Sequence, residues 1–70
     1  MDKAEKELAL IKNAVSKINL ENTEETMETL VELFRHIELL VAEVAPDDPL
    51  WGYAIWSNNR AIKILRSLAN

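Results

Sequence analysis

The chain has 70 residues, 49% of them hydrophobic and 29% charged, too apolar for a disordered tail and long enough for one small domain. One Gly and two Pro are too few for the turns of a small barrel or sandwich, and the absence of Cys removes disulfide frameworks and thiolate zinc sites. A net charge of −4 opposes general binding to nucleic acid.

No apolar run approaches the roughly 18 residues that a membrane span requires. The opening, MDKAEKELAL, lacks the basic segment and apolar core of a secretion signal. The expectation is a cytoplasmic, all-α module comprising a single domain over residues 1–70. A core this small supplies only about 3–5 kcal/mol, so with no disulfide or metal to staple it, self-association is the expected remedy.

The first helix is predicted over residues 2–18, where Ala4, Leu8, Ile11, Val15 and Ile18 fall on one narrow face. Residues 19–22 interrupt it. Asn22 is a suitable N-cap for the next helix, and Glu25 stands three residues on, as in a capping box.

Helix two is predicted over 23–45. Met27, Leu30, Phe34, Ile37, Val41 and Val44 recur in steps of three and four, the spacing of a coiled-coil seam, with Val31, Leu33 and Leu40 beside it. Together these residues occupy about half of the helix circumference, more than one neighbour can cover. Pro46 should stop the helix. Asp48 is an apt N-cap, and Pro49 suits the first turn of helix three, predicted over 49–68.

The apolar arc of helix three holds Trp51, Ala54, Ile55, Ala61, Ile62, Leu65 and Leu68, with Tyr53 and Ile64 at its margin. Ser57, Asn58 and Asn59 are weak helix formers at its centre and could break it. Asn58 falls inside the arc, where it is either a tolerated polar residue or a register-setting Asn that pairs with its counterpart across an interface. The short linker makes helices two and three antiparallel neighbours. The expected architecture is their hairpin with helix one flanking, doubled into a dimeric four-helix-type core; a monomeric three-helix bundle is the alternative.

Two surfaces stand out. Trp56 projects to the polar side of helix three beside Gly52, Arg60 and Lys63, and Trp and Arg are the side chains most enriched at binding hot spots. Glu21, Glu25, Glu28 and Glu32 step by four, three and four along helix two, an acidic spine that could meet a basic surface, and Leu39 is an apolar residue stranded beside it. A solvated face that keeps the chain soluble explains the same spine. His36, the sole His, lies near Glu32 and Glu43 without further ligands for zinc, and is expected at the surface or its boundary.

Neither a nucleophile elbow nor a glycine-rich phosphate loop is present, so no catalytic residue and no cofactor is assigned. Arg60, Lys63 and Arg66 alone make a weak footprint for nucleic acid. The expected function is that of a non-enzymatic regulator, an adaptor or inhibitor, that occupies a surface of a larger protein. Phage-encoded inhibitors, toxin neutralisers and anti-activators offer an analogy of size and charge only. The alternatives are an acidic nucleic-acid mimic, a subunit of a larger assembly, and a small helical enzyme.

Overall fold

The computed structural model describes residues 3–69. Three helices follow one another: α1 (Lys3–Ser16), α2 (Thr23–Glu43) and α3 (Pro49–Ala69). The start predicted for the first helix, at residue 2, lies outside the described residues.

Both connections are built from the residues that sequence reasoning singled out, with differences in detail. Helix α1 ends two residues early, in a tightened turn where Lys17 N donates to the Ala14 carbonyl and Ile18 N to that of Val15. Asn22 caps α2 through its Oδ1, which accepts from Glu25 N at 3.0 Å. The reciprocal half of the box is replaced: Asn22 N donates to the Asn19 carbonyl at 3.1 Å. That same carbonyl accepts from Thr26 Oγ1, so one peptide oxygen ties the incoming turn to the first turn of α2.

Helix α2 stops at Glu43, two residues short of the predicted end, and Val44 is already extended, with φ −120° and ψ 151°. Pro46 prevents continuation, because its ring disfavours helical geometry at Ala45 and it has no N–H to donate to the Ala42 carbonyl. Asp48 Oδ1 accepts from Leu50 N at 2.8 Å, and Pro49 begins α3 as expected. Helix α3 is continuous through residues 57–59 to Ala69. Its weak formers do not break it, because a buried face holds the segment in place.

The core consists of Ile11 and Ala14 of α1, Leu30, Leu33, Ile37 and Leu40 of α2, and Ala54 and Ala61 of α3. Relative to expectation, the buried stripe of α2 is rotated toward Thr26, Leu33 and Leu40. Leu30 and Ile37 are buried as predicted. Phe34, Val41 and Val44 are only half-buried, at the core's margin, and Met27 is 39% exposed. Two threonines explain the rotation. Thr26 and Thr29 are buried because each hydroxyl finds a carbonyl, Asn19 O and Glu25 O respectively. With its hydrogen bond made, a Thr methyl packs like an aliphatic group.

Helix α3 is rotated in the same way. Its inner ridge is Ala54, Ser57 and Ala61, all fully buried, with Leu65 half-buried beside it. Ile55, expected inside, is 42% exposed; Ile62 and Asn58 are half-buried. A ridge of small side chains admits the closest approach between two helices, so it outcompetes the bulkier flank for the position against α2. Helix α2 lies centrally, with α1 and α3 each packed along it and α1 meeting α3 only sparsely.

Candidate functional site

Trp56 sits where its projection placed it, on the outer side of α3, with 53% of its surface exposed. The Arg60 guanidinium lies 5.9 Å from its ring centre, within cation–π range. The i, i+4 spacing on one helix face creates that contact. Arg60 and Lys63 share with Trp56 and Asn59 a shallow cleft of about 240 Å³. All three predicted contact residues of α3 therefore meet.

The patch extends further than the sequence suggested. Tyr53, three residues before Trp56, places its ring 5.9 Å away at a 40° tilt, and Lys12 of α1 stands over Tyr53 at 5.9 Å. Tyr53 was legible from its spacing to Trp56; Lys12 was not, because only the packing of α1 brings it there. On the other side of Arg60 and Lys63 lies an apolar cleft of about 260 Å³ lined by Val15, Ile18, Leu20 and Ile64. Rings stacked with cations, next to an apolar recess with a basic rim, can hold an acidic segment that carries an apolar side chain.

The acidic spine is shorter than predicted. Glu21 precedes α2, in the turn, where its N–H donates to Asn19 Oδ1. Glu25, Glu28 and Glu32 remain exposed along α2. Leu39 is 45% exposed, as expected for a stranded leucine. It lines a cleft with Lys3, Lys6, Glu7 and Glu43, so its surroundings are of mixed charge.

His36 is half-buried and bridges two helices. Its Nδ1 donates to Glu7 Oε2 at 2.8 Å, and its Nε2 is 3.9 Å from Glu32 Oε1. Glu7, 29 positions away, has no sequence signal that names it as the partner. Alanine at either His36 or Glu7 is expected to cost about 1 kcal/mol in urea unfolding. The double variant should cost less than the two singles together by about 0.5 kcal/mol or more; strict additivity would show that the pair contributes nothing.

Among the described residues, no group of three or more His, Cys, Asp or Glu side chains is placed to hold a metal ion. No helix among them is long and apolar enough to cross a membrane. Comparison with protein-family models, curated proteins and solved structures yields no match to this chain.

Proposed function

We propose that the chain is a non-enzymatic protein-binding regulator that occupies a surface of a larger protein through Trp56, Arg60 and Lys63. The observation that carries this reading is the exposed Trp56 ring held under the Arg60 guanidinium, at the edge of an apolar cleft rimmed by Arg60 and Lys63. An aromatic residue with one face stacked and the rest open loses little freedom on binding, and it can bury a large apolar area. The basic rim selects an acidic segment on the partner.

The test is affinity capture from the source cell, followed by binding measurements on the recovered protein. Trp56→Ala is expected to weaken that binding at least about thirtyfold, the size of a hot-spot residue. Its folding stability should stay within about 0.5 kcal/mol of the parent. Unchanged affinity, or a large loss of helicity, overturns the proposal. If the captured partner binds nucleic acid, and charge reversal at Glu25 and Glu28 rather than Trp56→Ala weakens it, the chain is a mimic of phosphate charge instead.

A further inference from the structure

A second surface lies elsewhere on α2 and α3, on the side of the hairpin turned away from α1. Helical projection at about 100° per residue places Met27 and Val31 of α2 and Trp51, Ile55, Asn58 and Ile62 of α3 on this side. Val31 is 67%, Ile55 42% and Met27 39% exposed. Trp51 and Ile62 are half-buried, yet neither is packed against the core. Trp56 projects roughly 120° around α3 from Ile62, so this face is separate from the proposed contact patch and does not depend on it.

We infer that a second copy of this chain covers this face. The charges at its two edges specify how. Along α2 the edge carries Glu24 and Arg35, with Glu38 projecting between Met27 and Val31; along α3 it carries Arg66. A two-fold axis running parallel to the helices sets α2 of each copy against α3 of the other, with both interhelix loops at the same end. Glu24 and Arg66 lie 22 and 20 residues from Pro46. At equal rise per residue, Glu24 of each copy therefore meets Arg66 of the other, once along each of the two seams. An axis running across the helices would instead stack α2 on α2 and bring Glu against Glu.

Size agrees with this assignment. The molecule measures 35 × 20 × 14 Å, and a 21-residue helix is roughly 30 Å long. Two such helices side by side offer an area comparable to the roughly 800 Å² per partner that a specific interface buries. Asn58 stands at mid-height of α3 on the inner side of the face. The same axis brings it level with its counterpart, so two amides can pair where an aliphatic residue would leave the register unfixed.

Sedimentation velocity over a concentration series tests the inference on the full chain. The expected result is a species of twice the 8.0 kDa chain mass. Ile55→Asp should return it to the single-chain mass with helicity retained, because that side chain is exposed in one copy. Glu24→Lys should weaken association severalfold, and adding Arg66→Glu should restore it. A chain that stays single at high concentration overturns the inference, even if the face takes up a hydrophobic dye and so awaits another partner. A dimer indifferent to Ile55→Asp, or a charge swap that fails to restore, overturns the face or the pairing assigned here.

Discussion

Replacing Leu40 with alanine is expected to leave the purified chain largely unfolded at room temperature. Leu40 is fully buried, and removing such a side chain costs about 2–5 kcal/mol, lost transfer energy and residual cavity together. A chain of this size holds about 3–5 kcal/mol in its core, so the loss is comparable to the whole. Leu39→Ala is the matching control. It removes a similar side chain one position along, from a site that is 45% exposed, and should shift stability by no more than about 0.5 kcal/mol. Far-ultraviolet circular dichroism of the two variants reads the difference directly. If Leu39→Ala unfolds the chain and Leu40→Ala does not, the stripe of α2 that faces the core is the other one.

Ser57→Ala is expected to act in the opposite direction. The Ser57 hydroxyl is fully buried and has no hydrogen-bond partner among the described residues. A buried polar group left unpaired costs about 1–3 kcal/mol, and Ala is also the better helix former by a few tenths. The two contributions predict a gain of about 1–2 kcal/mol, and each kcal/mol raises the midpoint of a domain this size by about 4–8 °C. Calorimetric or dichroism melts check it. A lowered midpoint would mean that the hydroxyl is satisfied in solution and belongs to the packing it interrupts.

These two positions also show where sequence reasoning succeeded and where it ran out. The caps and stops were legible because each depends on a single residue with a local job: Asn22, Asp48, Pro46 and Pro49. The hairpin followed from the short linker between two long helices. The outward position of Trp56, with Arg60 and Lys63 beside it, followed from helical angle alone. The rotation of the buried stripes did not. Helix α2 offers apolar residues over half its circumference, so Phe34 and Val41 or Leu33 and Leu40 could equally have faced inward. The choice was decided by Thr26 and Thr29, polar by type, which bury themselves by bonding nearby carbonyls. On α3, Ser57 is inside and Asn58 beside it is not, because close helix approach favours the smaller side chain. The bond between His36 and Glu7 joins residues of different helices, and such pairs are set by packing rather than by pattern.

The ridge of Ala54, Ser57 and Ala61 has one more consequence. Helices that touch through methyl groups and a hydroxyl lie so near each other that little of their girth is hidden between them. Economy inside creates surplus outside: the heavy hydrocarbon of α3, carried by Trp51, Ile55 and Ile62, is spared from the intramolecular seam and left facing water. A thin joint within the chain and a greasy exterior are thus one design, and the exterior acquires a purpose only when something lies against it.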